Sequence, residues 1–122
     1  MNGRSVDAWM KHDPTNEWDV MMKKVAAFHH KHDFAGQIGH DMGYRWALTI
    51  EELGELAAAI TKGKPLDECA EEMADVLILL MGHSLAMELD LKAAIEKKYA
   101  RNMQREALQG RLGVRVTEYR PE

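Results

Sequence analysis

Apolar and polar positions along the chain follow a helical period in four blocks, separated by glycine and proline. From about Pro14 to His32, the residues Trp18, Met21, Met22, Val25 and Phe28 recur at helical spacing. Asp13 and Thr15 flank a proline suited to a first turn. Gly36, Gly39 and Gly43 then crowd into residues 33–43, lowering helix propensity and predicting a flexible loop. The block YRWALTIEELGELAAAITK, about 44–62, is rich in helix formers and closes at Gly63. Pro65 opens the next, about 65–89, whose LDECAEEMADVLILLMGHSLAMEL is the most apolar helix and is expected in the middle of the core. Asp90 suits the cap of a last helix, about 91–108, which runs out before Gly110. In the tail, 110–122, Val114 and Val116 alternate weakly, leaving a short strand, an arm onto a neighbouring subunit and a disordered end all open. Short links favour antiparallel neighbours, so the fold class expected is all-α, a four-helix bundle-like single domain over 1–122.

Composition narrows the chemistry. With 122 residues, 46% hydrophobic and 30% charged, the chain has the balance of one globular domain and neither internal repeat nor low-complexity tract. A net charge of −4 offers no general attraction to a phosphate backbone or an anionic bilayer, so neither nucleic acid nor membrane is expected as a partner. The longest apolar run, Val76 to Met81, is far short of a span, and the N-terminus carries no uninterrupted apolar segment. Cys69 is the only cysteine, which excludes an intrachain disulfide. Together these predict a soluble, unprocessed, cytoplasmic protein.

Carboxylates are the candidate chemistry. Glu51, Glu52 and Glu55 fall within an arc of about 100° on one helix, where like charges repel and invite a cation. Alone, such a run is most often a solvated helix face. On the next helix Glu72 and Asp75 project along the same side as Val76, Leu79 and His83, the side expected to face the core. A carboxylate there must be protonated, paired or metal-bound. With 16 residues between Glu55 and Glu72 for the turn, the two helices are able to bring Glu52, Glu55, Glu72 and Asp75 to one point. Four hard oxygen donors suit magnesium, with manganese as a substitute, better than zinc. Lys98, Asn102 and Arg105, at i, i+4 and i+7, place two cations and an amide on one face of the last helix. That is an ordinary solvated stripe in isolation, and what a metal-bound polyphosphate requires beside an acidic nest.

EELGEL followed by EEMADVL resembles the EExxE and ExxD motifs of the MazG-like, all-alpha nucleoside triphosphate pyrophosphohydrolases, and KYARNMQR strengthens the likeness. The resemblance runs from about Trp46 to Arg105, roughly half of the chain. It implies cleavage between the alpha and beta phosphates to a nucleoside monophosphate and pyrophosphate. It also implies magnesium on Glu52, Glu55, Glu72 and Asp75, and phosphate contacts from Lys98 and Arg105, with Asn102 on a phosphate oxygen or the sugar. Glu51 is the candidate to orient or deprotonate water, or a fifth ligand. For the base, the aromatic candidates are Trp18, Phe28, Phe34 and Trp46, of which Trp46 is carried forward. A homodimer or a dimer of dimers is implied by the same likeness.

Three other readings compete. The related phosphoribosyl-ATP pyrophosphohydrolases share the acidic helical core. A non-catalytic helical interaction module would leave the acids in solvent. A di-iron bundle needs Glu-x-x-His on two helices, and neither EELGE nor EEMAD supplies the histidine. His29, His30, His32 and His40 cluster near the glycine-rich segment without a recognised ligand spacing, which favours polar helix-end roles. His83 is expected as a hydrogen-bonded core residue, and Cys69 as a small buried apolar one.

Overall fold

The computed structural model describes residues 2–116 and is mostly helical. The Cα packing divides the chain into two compact units, one up to Asp90 and one from Leu91 onward.

The first unit opens with a helix that the apolar pattern does not announce, α1 (Val6–Lys11). Ser5 caps it, its Oγ accepting from the Ala8 amide at 3.2 Å, a device worth about 1 kcal/mol. Its two inward residues, Val6 and Trp9, join the core, too few for a recognisable period in six residues. Helix α2 (Glu17–Lys31) starts later than Pro14 because Asn16 is extended and accepts from the Asp19 amide at 2.8 Å. Its buried face is Met22, Val25, Ala26 and His29, while Met21 and Phe28, expected inward, are exposed.

Residues 33–43, where three glycines predicted a loop, hold short helical turns. Two consecutive 3-10 turns, Phe34–Gly36 and Ile38–His40, carry the chain from α2 into α3 (Met42–Thr61). Glycine is needed for space there, since a Cβ at Gly39 would lie 2.6 Å from that of Phe34. Asp41 caps α3 through the Tyr44 amide at 2.8 Å. At its other end Gly63, at φ 64°, and the Lys64 amide bonded to Ala59 O at 3.0 Å close a Schellman turn.

Helix α4 (Leu66–Ala86) ends in the same motif without the glycine. Glu88 takes φ 52°, and the Leu89 amide reaches Ser84 O at 2.8 Å. Gly3 lies against this turn, its amide donating to Glu88 O at 2.8 Å.

The core is Val6, Trp9, Met22, Val25, Ala26, Met81 and Leu85, with Met10 and Trp18 packed against it. Burying each of its large apolar side chains contributes about 1.5–3 kcal/mol. Helix α4 supplies only its last turns, and Met73, Leu77, Ile78 and Leu80 stay exposed, so it is not the enclosed central helix its composition predicted. Helix α2, on which α1 packs, covers that C-terminal part, whereas the rest of α4 meets α3 along one side. As the chain advances along α3 from Arg45 to Glu55, its partners on α4 recede from His83 to Glu72, so the two run antiparallel.

The second unit holds α5 (Leu91–Gln104) and a hairpin, β1 (Ala107–Gly110) with β2 (Gly113–Val116), paired from Ala107↔Val116 to Gly110↔Gly113. The last helix therefore stops short of 108, and Gly110 flanks a hairpin turn instead of following a helix. The strand alternative for Val114 and Val116 is the one observed, and 117–122 lie outside the described residues. No helix among the described residues is long and apolar enough to cross a membrane.

Candidate metal centre

The seam between α3 and α4 carries the acids. Spacing of i, i+3 on α3 puts Glu52 and Glu55 on one face, and the antiparallel α4 brings Glu72 against them. Each offers a carboxylate oxygen, and the three lie within 4.8 Å of one another. Glu52 and Glu72 each keep one oxygen, Oε2, that is sealed from solvent and has no hydrogen-bond partner among the described residues. A sealed, unpartnered carboxylate oxygen is costly unless a proton or a cation answers it.

The electrostatics agree with that geometry. Burial, then the charges of Glu55 and Asp75, holds Glu52 above the ordinary carboxylate range. Burial, then Glu55, raises Glu72 in the same way. A hard divalent ion removes both penalties at once, and an all-oxygen donor set is the kind it takes. These residues fit a magnesium-type cation.

The remaining expected residues are placed differently. Asp75, one turn along α4, is exposed, and its carboxylate stands outside the 4.8 Å group while still raising Glu52 and Glu72. Glu51 is exposed on α3. Lys98 and Asn102 lie on α5 in the second unit and Arg105 just beyond its end, where Arg105 Nη1 donates to Asn102 Oδ1 at 3.0 Å. Lys98 and Asn102 also line a shallow apolar groove with Ile95 and Tyr99. Of the aromatic candidates, Trp18 packs on the core, while Trp46 is 57% exposed, its ring centroid 6.4 Å from that of His83. Phe28 and Phe34 belong to a ring cluster with His29 and His32.

The histidines pair with each other and with polar neighbours. His29 Nδ1 and His40 Nε2 share a hydrogen bond of 2.8 Å. Burial, then the charges of Arg45 and His40, pushes His29 down to about 4, so it is neutral near pH 7. Both line a cavity of about 390 Å³ with Asp7, Asp33 and Glu88. Among the described residues, no histidine falls in a group of three ligand atoms as close as the acidic one. Cys69 is only half-buried, its Sγ donating to Lys64 O at 3.7 Å, and is not the buried apolar residue expected.

Sequence reasoning passed over Arg45 and Thr49. Arg45 is 3% exposed and donates through Nε to His83 Nδ1 at 2.9 Å, while Thr49 Oγ1 meets His83 Nε2 at 2.7 Å. The available signal was a stripe, Arg45, Thr49 and Glu52 at i, i+4 and i+7, a polar line running along one face of α3.

Residues 45–107, just over half of the chain, match the model of the MazG nucleotide pyrophosphohydrolase domain. No curated protein and no solved structure matches. The match begins at the buried Arg45 and takes in most of α3 and all of α4 and α5, so it covers the acids of the α3–α4 seam together with Lys98, Asn102 and Arg105. The chain belongs to the MazG nucleotide pyrophosphohydrolase domain family.

Proposed function

We propose that this protein, as one MazG-like domain over 1–122, is a magnesium-dependent nucleoside triphosphate pyrophosphohydrolase, acting between the alpha and beta phosphates to release a nucleoside monophosphate and pyrophosphate. The observation that carries this reading is the pair of sealed, unpartnered oxygens of Glu52 and Glu72 in one group with Glu55. Glu52, Glu55 and Glu72 would hold the ion, with Asp75 completing the set by a change of side-chain rotamer. When bound, such an ion supplies positive charge against the phosphate oxygens and acidifies water, and manganese is the expected substitute.

The chain's own residues then have separate tasks. Glu51, exposed beside the ligands, would take the proton of the attacking water as its oxygen bonds to phosphorus and the bridging oxygen departs. Lys98, Asn102 and Arg105 are proposed phosphate and sugar contacts on their chemistry and because the family match extends over them. Trp46, exposed on the first turns of α3, is the proposed stacking surface for the base.

The second copy implied by family likeness also finds support. Ile50, Leu53 and Ile60 on α3 and Met73 and Leu77 on α4 are between 46% and 58% exposed, an apolar surface that a homodimer or a dimer of dimers would cover. A cytoplasmic location goes with this reading.

The test is release of phosphate, in the presence of added inorganic pyrophosphatase, from a panel of ribo- and deoxyribonucleoside triphosphates and phosphoribosyl-ATP. Turnover should require a divalent ion. Absence of divalent-dependent hydrolysis of every nucleotide, together with no thermal stabilisation by magnesium, would return the chain to a non-catalytic helical module.

A further inference from the structure

Arg45 is a buried cation that, among the described residues, has no carboxylate as a hydrogen-bond partner. Its guanidinium instead spans three elements. Nε donates to His83 Nδ1 at 2.9 Å, Nη1 to Gly39 O at 3.0 Å in the second 3-10 turn, and Nη2 to Leu79 O at 3.1 Å on α4. The rest of the network has its directions set by chemistry. The Thr49 hydroxyl donates to Arg45 O at 2.8 Å, which leaves its oxygen to accept from His83 Nε2 at 2.7 Å. Since His83 Nδ1 accepts from Arg45, the imidazole is neutral with its proton on Nε2, and burial and the Arg45 charge depress its pKa in accord with that.

Position 82 is glycine where this network crosses α4. A Cβ there would overlap Arg45 Nη2 and come within 2.8 Å of His29 Nε2. The helix is thus bare at the one place where the guanidinium lies on it.

Such an arrangement is a poor source of plain stability. Replacing buried ionic groups with apolar side chains of similar volume is often neutral or favourable. What hydrogen bonds add is direction. Apolar contacts between two helices are non-directional and tolerate sliding, whereas two bonds to α4 from one rigid planar group, held in place by its third to Gly39, do not. The need for this lies further along the seam. Glu52 follows Arg45 by seven residues on α3, and Glu72 precedes Leu79 by seven on α4, so the acids meet about 10 Å from the guanidinium. Their mutual repulsion pushes the two helices apart at that end.

We propose that Arg45, acting through His83 and Thr49, is a positioning residue that locks the axial register of α3 against α4, and with it the convergence of Glu52, Glu55 and Glu72. The lock is a property of the helix pair. Its consequence for metal binding rests on the function proposed above.

The test separates the two. Spin labels at the exposed Ala57→Cys and Ala74→Cys positions, in a Cys69→Ser background, report the α3–α4 distance by pulsed electron resonance in the full chain. Manganese affinity is measured on the unlabelled protein well below its melting temperature. The parent should give one narrow distance. Arg45→Met with His83→Phe, which removes the charge and its acceptor together, should give a broadened distribution or a second population displaced by about 5 Å, one helical turn. Manganese affinity should fall by about tenfold or more, the factor that 1.4 kcal/mol represents. Should that variant fail to fold, Arg45→Lys carries the test, since it keeps the charge but cannot reproduce the three-way fork.

A distance distribution and manganese affinity like the parent's in either folded variant would overturn the lock. A parent that gives one narrow distance, lost in the variants, yet binds no manganese would uphold the lock and sink the metal reading instead.

Discussion

Two glycines, one on each helix of the seam, should respond to the same substitution with opposite signs. Gly54 sits in α3 with nothing within 4 Å of the position a Cβ would take. Alanine there gains helix propensity of about 0.8–1 kcal/mol with no steric term to offset it. Gly82 sits in α4 and has the same propensity to gain, but its Cβ would overlap Arg45 Nη2 and crowd His29 Nε2. Overpacking costs about 1–3 kcal/mol. Displacing the guanidinium also breaks its charged bond to Leu79 O, at about 1.5–3 kcal/mol. The steric and hydrogen-bond terms outweigh the propensity gain, giving a net loss of about 1.5–5 kcal/mol. Urea unfolding followed by circular dichroism, in EDTA so that no cation contributes, measures both changes. Gly54→Ala should raise the midpoint and Gly82→Ala should lower it, with the slope unchanged. Gly82→Ala as stable as Gly54→Ala would refute the placement of Arg45 across α4.

Three further outcomes are expected. Glu52→Gln, Glu55→Gln, Glu72→Gln and Asp75→Asn should each nearly abolish phosphate release while keeping the helical circular dichroism spectrum, and in EDTA should melt no lower than the parent, because repulsion is relieved; near-normal turnover would remove the metal assignment. The contribution of His29 to stability should be level above pH 6.5 and decline as pH falls toward about 4, because His29 stays neutral in the fold until about 4 while the unfolded chain takes up the proton near 6.5. His29→Asn should flatten that part of the profile by about 2–3 kcal/mol, and an unchanged profile would show that His29 is not held neutral. Glu88→Gly should stabilise by about 1 kcal/mol in urea titrations, because φ 52° at the C′ position of α4 suits glycine; a loss would mean that the Glu88 side chain contributes more than its backbone costs.

What could be read in the sequence was whatever depends on near neighbours. Helical period, the cap at Gly63 and the three- and four-residue spacing of the acids are local, so α2, α3, α4 and α5 were legible to within a few residues of their ends. The MazG-like character was legible for the same reason, being carried by two short motifs. Boundaries failed where a cap competed with a proline, as at Asn16, and where two glycines closed a hairpin, as at Gly110 and Gly113. Helix α1 is too short to show a period. What tertiary structure alone decided is which local groups meet. Spacing does not say that Arg45 of α3 reaches His83 of α4, or that Gly82 leaves room for it, because contacts distant in sequence depend on the angle and register at which two helices pack. The same geometry sets Glu52, Glu55 and Glu72 together and leaves Asp75 at the rim, a distinction that four carboxylates in two similar motifs do not carry in one dimension.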